Sequence, residues 1–264
     1  MTPATSSNSL LQGHTAAITG AGRGIGAAIA QRLAADGARL WLLGRNLPTL
    51  QALAATLPNH AVAGCLAVDV ADAGAVQQAW AQMAEAGAMP DILVNNAGQA
   101  ASAPLGRTSD ALWHQMLSVN LSGSFHCLRA ALPAMQAAGW GRVVNVASTA
   151  GQRGYPYVAA YTAAKHGVIG LTRAVALEVA TQGITVNAVC PGFTETDLLR
   201  DSVANIVGKT GRSEAQARDA LAQHNPQKRL VQPQEVADAV AWLCSPAAAS
   251  LTGQSLSISG GEVM

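Results

Sequence analysis

A tyrosine and a lysine four positions apart are the residues of this sequence best suited to proton transfer. Tyr161 and Lys165 lie in an alanine-rich stretch with a helical pattern, so their side chains share one helix face about one turn apart. An ammonium near a phenol favours the ionised oxygen and lowers a pKa of about 10 toward the working pH. The pair therefore predicts a proton donor and acceptor, although the same spacing also occurs on helices without any catalytic role.

Two more polar residues are candidates for the same chemistry. Ser148 follows a strand pattern shortly before Tyr161, and the two hydroxyls could hold one carbonyl oxygen between them. Asn120 lies inside a long helical pattern, where a polar side chain needs a partner or a solvent-facing position. It could bind a helix carbonyl or a water that connects to Lys165.

Seven short apolar segments alternate with helical patterns along the chain. They are rich in Val, Ile and Leu, as expected for strands that are buried on both faces of a parallel sheet. The segments cover 14–20, 38–44, 64–70, 91–98, 141–148, 184–192 and 254–261. The alternation predicts an α/β protein with a single-domain, Rossmann-type, doubly wound parallel sheet of seven strands and helices on both faces.

The chain is predicted to be organised as one domain with a tail. Residues 1–10 are polar and are expected to be disordered, and 11–264 form the domain. A long helix is expected from 110 to 138, with a bend near Pro133. The polar segment from about 193 to 229, with a helix near its middle, predicts a substrate lid, because ligands bind at the carboxyl ends of such strands. A surface excursion is the alternative.

A glycine-rich loop joins the first predicted strand to a helix. Gly20 allows a sharp turn, Gly24 allows the backbone to approach a pyrophosphate, and Gly26 allows the helix to pack on the strand. The free N–H groups of the helix N-terminus favour a phosphate at the same place. The loop predicts a dinucleotide site, with a glycine turn that binds no ligand as the alternative.

The end of the second predicted strand indicates which nicotinamide cofactor is used. It carries Arg45 and no carboxylate, and Arg23 in the glycine loop could add a second guanidinium. Since an arginine there suits a 2′-phosphate, we expect NADP(H), with NAD(H) as a possible cofactor and ordinary solvated arginines as the alternative. Asp69, at the end of the third strand, could accept from the adenine amino group or cap the next helix.

The order and spacing of these motifs resemble the short-chain dehydrogenase/reductase family. The matching features are TGAGRGIG at 19–26, NNAG at 95–98, Asn120, Ser148, YTAAK at 161–165 and PG at 191–192. The resemblance extends from His14 to Gly261, nearly the whole chain. Within the family, the stretches around these motifs are similar to 3-oxoacyl thioester reductases, polyketide ketoreductases and 3-hydroxyacyl-CoA dehydrogenases.

The resemblance implies a role for each motif. Tyr161 would protonate the carbonyl oxygen as hydride arrives, Ser148 would orient that oxygen, and Lys165 would lower the tyrosine pKa and bind the nicotinamide ribose. Asn120 would anchor a water of the proton relay. The implied cofactor contacts are Gly20, Arg23, Gly24, Ile25, Gly26, Arg45, Asp69, Val70, Asn96, Ala97, Gly98, Tyr161, Lys165, Pro191, Gly192, Thr194 and Thr196.

The substrate is expected to be a 3-oxoacyl (β-keto) thioester or a related compound. Candidate contacts, each of which could instead be a packing residue, are Ser148, Ala150, Gln152, Tyr155, Tyr157, Tyr161, Leu198 and Leu199. Arg153, Arg200 and Arg212 are available for a phosphopantetheine phosphate. A cyclic or aryl secondary alcohol is the alternative substrate. An epimerase or dehydratase on this fold and a non-catalytic nucleotide sensor are the more remote alternatives.

Composition excludes several other classes of partner. The 264 residues carry a formal net charge of +1, which provides no basic field for nucleic acid. The cysteines and histidines show no metal-ligand spacing, and no apolar run reaches the length of about 18 residues that spans a bilayer. We therefore expect a soluble, cytoplasmic enzyme that acts on small molecules. The family implies a homotetramer. The apolar stripe at Trp113, Leu117, Leu121 and Phe125 could form a subunit interface, although packing in the core would explain the same stripe.

Overall fold

The computed structural model describes residues 10–264, except for the side chains of Leu198 and Asp201. The predicted tail at 1–10 thus lies, apart from its last residue, outside the described residues. The strands are β1 (Thr15–Thr19), β2 (Arg39–Gly44), β3 (Val62–Ala67), β4 (Ile92–Asn95), β5 (Gly141–Val146), β6 (Ile184–Pro191) and β7 (Ser255–Ile258). The helices are α1 (Gly24–Ala35), α2 (Leu47–Ala54), α3 (Ala73–Glu85), α4 (Asp110–Leu117), α5 (Gly123–Ala138), α6 (Ala159–Val179), α7 (Asp197–Thr210), α8 (Glu214–Ala222) and α9 (Pro233–Cys244).

The seven strands form one sheet in the order β3-β2-β1-β4-β5-β6-β7, and every pairing is parallel. The predicted doubly wound parallel sheet is therefore confirmed. β1 pairs with β2 on one side and β4 on the other, so the chain reverses its direction of winding there. In open α/β sheets, such a reversal is where ligands bind, in a crevice at the carboxyl ends of the strands.

The sheet is buried by helices on both faces, which explains the almost continuous apolar strands. On one face, Ile29 and Leu33 of α1 pack in the same core as Val236 and Val240 of α9. The other face is covered by side chains of α3, α5 and α6, and the indole of Trp41 donates to the carbonyl of Ala88 at 2.7 Å there. Among the described residues, no helix has both the length and the apolar composition needed to cross a membrane.

The expected long helix from 110 to 138 is wrong in one respect that matters for the site. A π-helical turn at Ser118–Ser122 separates α4 from α5, whereas Pro133 lies inside α5. Such wide turns are rare within helices and are frequent at functional sites. The irregularity thus falls on Asn120, thirteen residues before Pro133, rather than near the proline.

The segment between β6 and α9 contains two helices, of which only α8 was expected. α7 begins after Thr196, whose hydroxyl accepts from the amide of Leu199 at 3.4 Å. The two helices share a small apolar core of their own, made by Leu199 and Val203 from α7 and Leu221 from α8. This segment therefore has its own packing and lies beside the crevice rather than beneath the sheet.

Candidate active site

A large cleft lies at the carboxyl ends of the strands. Its volume is about 1180 Å³, which exceeds the range of about 300–1,000 Å³ that is typical of a site for one small ligand. The glycine loop after β1 forms one end of the cleft, and α7 with the loop after β5 forms the other. The cleft therefore has room for an extended cofactor and a substrate side by side.

The glycine loop has the geometry that a phosphate cradle requires. Gly20 and Gly24 have positive φ angles of 64° and 54°, which side chains other than glycine rarely adopt. A Cβ on Gly26 would lie 2.1 Å from the carbonyl oxygen of Gly20. No side chain caps the N-terminus of α1, which begins at Gly24, so its first N–H groups can donate hydrogen bonds to a pyrophosphate. The residues present thus fit a dinucleotide.

The loop after β4 is tied to the glycine loop by hydrogen bonds. The side-chain amide of Asn96 donates to the carbonyls of Thr19 and Gly20, each at 3.0 Å. The hydroxyl of Thr19 accepts from the backbone amides of Asn96 and Ala97, also at 3.0 Å. Asn95 instead points into the sheet, where it donates to Asn145 at 2.9 Å. These bonds fix the floor of the cleft between the two loops.

The four residues expected to act together all line this cleft. Tyr161 and Lys165 lie in the first turns of α6, and Ser148 follows β5 and accepts from the amide of Ala150 at 3.0 Å. The ammonium of Lys165 donates to the carbonyl of Val146 at 2.8 Å. The structure therefore brings these four residues to one cleft.

Asn120 is held at the π-helical turn by backbone contacts to the loop after β4. Its side-chain nitrogen donates to the carbonyls of Gln99 and Met116, each at 3.0 Å, and its oxygen accepts from the amide of Gln99 at 3.2 Å. A Cβ on Gly98 would lie 2.9 Å from that oxygen and 3.7 Å from the nitrogen of Lys165. Because Gly98 has no side chain, the Asn120 amide and the Lys165 ammonium can both lie close to the backbone at this position.

The pKa shifts of Tyr161 and Lys165 differ from the expectation in one respect. Burial lowers the pKa of Lys165 to about 8. Burial also raises the pKa of Tyr161 above its ordinary value, while the Ser148 side chain acts in the opposite direction. The expected lowering of the Tyr161 pKa is therefore wrong, because desolvation of the phenolate is the largest effect on it.

The residues expected to select the cofactor lie at the other end of the cleft. The side-chain amide of Gln99 lies beside the Arg45 guanidinium. With the Gln99 oxygen turned toward Arg45, it accepts hydrogen bonds from two guanidinium nitrogens, at 3.1 and 3.3 Å. Arg23 lies 3.7 Å from Asp197, at the start of α7. Asp72 caps α3, so the alternative that Asp69 caps this helix is wrong. Asp69 lines the cleft, and one of its oxygens accepts from Ala71 at 3.0 Å.

The predicted cofactor residues are all found on the wall of the cleft. They comprise the glycine loop, the ends of β2 to β4, the α6 pair and the turn after β6, namely Gly20, Arg23, Gly24, Ile25, Gly26, Arg45, Asp69, Val70, Asn96, Ala97, Gly98, Tyr161, Lys165, Pro191, Gly192, Thr194 and Thr196. Of the substrate candidates, the cleft is lined by Ser148, Ala150, Tyr155, Tyr157, Tyr161 and Leu199. The side chain of Leu198 lies outside the described part of the structure.

Gln152 is not among the residues that line the cleft, and its side chain is bound elsewhere. Its side-chain nitrogen donates to the carbonyl of Ser255 at 3.2 Å, and its oxygen accepts from the hydroxyl of Ser257 at 2.9 Å. Gln152 therefore anchors β7. The amide is fully used by backbone and side-chain partners in a strand that lies far away in the sequence.

The three arginines considered for a phosphopantetheine phosphate are also placed elsewhere, since none of them lines the cleft. The guanidinium of Arg153 lies 5.0 Å from the ring centroid of Tyr155, and Arg200 pairs with Asp197 at 2.9 Å. Arg212 is exposed just before α8. The cationic residues that do line the cleft on the substrate side are Arg107 and Lys209, which the sequence did not single out.

Tyr157 occupies an unusual backbone position at the rim. Its φ angle is 68°, in the left-handed region, and its carbonyl accepts from the amide of Ala103 at 2.8 Å. Its side chain is exposed to 65 %. Strained, exposed residues of this kind concentrate at ligand-binding sites, which supports its position as a substrate candidate.

An aromatic cluster that the sequence did not reveal forms the wall of the substrate end. Tyr155 lies edge-on to Phe193 and His224, with ring centroids 6.2 and 6.1 Å apart. The Tyr155 hydroxyl donates to Glu262 at 2.5 Å and lies 2.9 Å from the Thr149 hydroxyl. Burial and Glu262 both raise the pKa of Tyr155. The C-terminal segment thus fixes one wall of the cleft.

Comparisons with known proteins agree with this arrangement. The family described as Enoyl-(Acyl carrier protein) reductase matches residues 20–262. The 3-oxoacyl-(acyl-carrier-protein) reductase of Escherichia coli (strain K12) is 38 % identical over 253 residues, 96 % of this chain and 98 % of that protein. The D-beta-hydroxybutyrate dehydrogenase of Rhizobium meliloti (strain 1021) is 38 % identical over 252 residues, 94 % of this chain and 97 % of that protein.

A solved structure gives the same result in three dimensions. A single-substitution variant of actinorhodin polyketide ketoreductase, determined with NADPH, superposes with a TM-score of 0.89 at 38 % identity and covers 94 % of this chain and 97 % of its own. The chain therefore belongs to the short-chain dehydrogenase/reductase family and is an NAD(P)-dependent oxidoreductase that acts on CH–OH donors and the corresponding ketones.

Proposed function

We propose that this enzyme reduces the ketone of a 3-oxoacyl (β-keto) thioester to the secondary alcohol, with NADPH as the reductant. The observation that carries the proposal is the shared cleft. Ser148 and Tyr161 line it at the carboxyl end of the sheet, and the glycine loop opens onto the same space. The two relatives above are named for a 3-oxoacyl group and a 3-hydroxy acid. Both names describe an acyl group that carries a carbonyl or a hydroxyl on its β-carbon.

Tyr161 is the proposed proton donor. Because burial holds its pKa above the ordinary value, the phenol is protonated at neutral pH, as reduction requires. When bound, NADPH supplies the hydride that reduces the carbonyl carbon. Tyr161 donates its proton to the carbonyl oxygen, and the hydroxyl of Ser148 donates a hydrogen bond to the same oxygen. The products are a secondary alcohol and the oxidised cofactor.

Lys165 and Asn120 support this proton transfer in the proposal. The ammonium stabilises the phenolate that forms as Tyr161 loses its proton, since opposite charges attract strongly in a buried site. Lys165 would also hold the nicotinamide ribose. Asn120, fixed to the loop at Gln99, would anchor a water through which the proton on Tyr161 is replaced.

The cofactor preference follows from the end of β2. Arg45 lines the cleft there, and its planar fork can hold a phosphate through two parallel hydrogen bonds. Arg23 is a weaker candidate, because it faces Asp197 across 3.7 Å and is 72 % exposed. We therefore propose that NADP(H) is preferred, with NAD(H) as the poorer cofactor. The solved relative with NADPH supports this preference.

We also infer that the segment from about 193 to 229 acts as a lid and that the chain forms a cytoplasmic homotetramer. The lid inference rests on the separate small core of α7 and α8 beside the substrate end. Trp113 and Phe125, exposed to 37 % and 42 %, leave part of the predicted stripe available for a subunit contact. A measured mass near that of one chain in dilute solution would contradict the tetramer.

A substrate panel tests the proposed reaction. Acetoacetyl-CoA, acetoacetate, a cyclic ketone and an aryl ketone are each offered with NADPH and with NADH, and oxidation of the cofactor is followed. We expect the highest kcat/KM with acetoacetyl-CoA and NADPH. A far higher kcat/KM with the cyclic or aryl ketone would overturn the substrate class, and preference for acetoacetate would reassign the enzyme to free β-keto acids.

A further inference from the structure

We propose that Arg107 and Lys209 form a phosphate-binding subsite at the mouth of the cleft, which holds the phosphopantetheine arm of the thioester substrate. The inference rests on the proposed function, because it concerns the part of that substrate farthest from the ketone. It assigns the ligand by its chemistry, a phosphate monoester or diester at the end of a flexible amide chain.

The two cationic residues lie on opposite walls of the same opening. Arg107 ends a short 3-10 helix, Leu105–Arg107, in the segment between β4 and α4. Lys209 lies in the last turn of α7, and both residues line the cleft. The walls meet where the side-chain amide of Asn205 donates to the hydroxyl of Ser102 at 3.1 Å. Lys209 follows Asn205 by about one helical turn on the same face of α7, so it lies just beyond this contact.

The position of the subsite assigns it to the substrate rather than the cofactor. In the sheet order, the glycine loop and the ends of β2 and β3 lie on one side of the β1–β4 crevice. Arg107 follows β4 and Lys209 follows β6, on the side that also holds Ser148 and Tyr161. A phosphate bound between Arg107 and Lys209 therefore lies across the β1–β4 crevice from the proposed 2′-phosphate site at Arg45, which follows β2.

Both charges are available for a ligand. Arg107 and Lys209 are exposed, and neither has a carboxylate within 4 Å among the side chains that the structure describes. Neighbouring cations are already engaged, since Arg23 and Arg200 both face Asp197. Two cations at one opening repel each other, and a phosphate relieves this repulsion while it gains charge-assisted hydrogen bonds.

The test compares two substrates that differ only by the phosphate, acetoacetyl-pantetheine and its 4′-phosphate. Wild type is measured beside Arg107→Gln/Lys209→Gln. The control is Arg39→Gln/Arg129→Gln, which removes the same charge at exposed positions outside the cleft. We expect the first double variant to raise KM for the phosphorylated substrate about tenfold, with KM for acetoacetyl-pantetheine, kcat and NADPH affinity unchanged. Added 0.5 M KCl should erase most of the difference between the two substrates in wild type.

Each outcome decides the proposal. An equal KM change for both substrates, or none for the phosphorylated one, would overturn the phosphate subsite while leaving the proposed reaction intact. Failure of wild type to reduce either thioester, with NADPH still bound, would overturn both. Acetoacetyl-CoA and an acetoacetyl carrier protein, measured with the same variants, identify the source of the arm. The one with the larger KM effect is the natural form.

Discussion

The ammonium of Lys165 lies 5.7 Å from the centroid of the Tyr161 ring and is held by the carbonyl of Val146 at 2.8 Å. The lysine is therefore placed to act on the charge of the phenol while it is positioned by the end of β5. Both groups are desolvated: burial lowers the pKa of the ammonium and raises that of the phenol. Burial thus favours the protonated phenol and disfavours the charged form of the neighbouring ammonium.

The buried ammonium predicts a specific dependence of stability on pH. Burial lowers the pKa of Lys165 from 10.5 to about 8. The folded protein therefore releases this proton before the unfolded chain does, so the cost of burying the charge is complete below pH 8 and is relieved as the pH rises toward 10.5. We expect Lys165→Met to be more stable than wild type at pH 7 by about 1–2 kcal/mol, after about 1 kcal/mol for the lost bond to Val146 is subtracted.

Urea unfolding at several pH values checks this expectation. The stability difference between Lys165→Met and wild type should shrink between pH 8 and pH 10. A difference that stays constant across this range would show that Lys165 keeps its ordinary pKa in the folded protein.

Arg45 is expected to determine the choice of cofactor. Replacing it with alanine removes a charge-assisted bidentate contact, so KM for NADPH should rise about 10–100-fold and KM for NADH should change by less than about twofold. Steady-state kinetics with each cofactor measures both values. Arg39→Ala, at the opposite end of the same strand, is the matched control. Equal losses with NADPH and NADH would contradict a role in binding the 2′-phosphate.

Glu262 is expected to position the aromatic wall through Tyr155. Glu262→Ala should raise KM for the ketone about three- to tenfold, because the Tyr155 hydroxyl loses its charged acceptor. KM for NADPH should not change. Glu262→Gln keeps an acceptor oxygen and should restore most of the affinity. In combination with Tyr155→Phe, the alanine change should add little, since both remove the same contact. Additive losses would show that the two residues act separately.

The close packing at Gly26 predicts a large effect of one methyl group. Gly26→Ala places a carbon 2.1 Å from the Gly20 carbonyl, so it should destabilise the fold by about 3 kcal/mol and weaken NADPH binding. Gly170→Ala is the control, because nothing lies within 4 Å of a Cβ there and the helix should gain about 0.5–1 kcal/mol. Thermal unfolding and NADPH titration measure both. Unchanged NADPH affinity in Gly26→Ala would contradict the claim that close packing at Gly26 shapes the cofactor-binding loop.

The sheet was predictable because its strands are buried on both faces. Segments such as the one at 184–192 are mostly apolar, and every residue of β6 is buried. The glycine loop and the Tyr161–Lys165 pair were predictable for a different reason, since the required residues are close together in the sequence. One tight loop brings the glycines together, and one helical turn brings Tyr161 beside Lys165.

The less predictable parts depend on contacts between distant segments. α7 has a mixed composition with little apolar bias, and its apolar face packs mainly on α8. Glu262 reaches Tyr155 across more than a hundred residues, and nothing near Tyr155 in the sequence indicates it. The contacts of Gln152 were unpredictable for the same reason, because its partners lie in β7.

The most direct test of the account is the activity of Tyr161→Phe with a β-keto thioester and NADPH. Removing the hydroxyl leaves the ring and its neighbours in place but eliminates the proposed proton donor. We expect kcat for NADPH oxidation to fall about 10²–10⁴-fold, with the Kd for NADPH within about twofold of wild type. A variant that retains near-wild-type turnover would contradict the claim that the Tyr161 hydroxyl protonates the substrate.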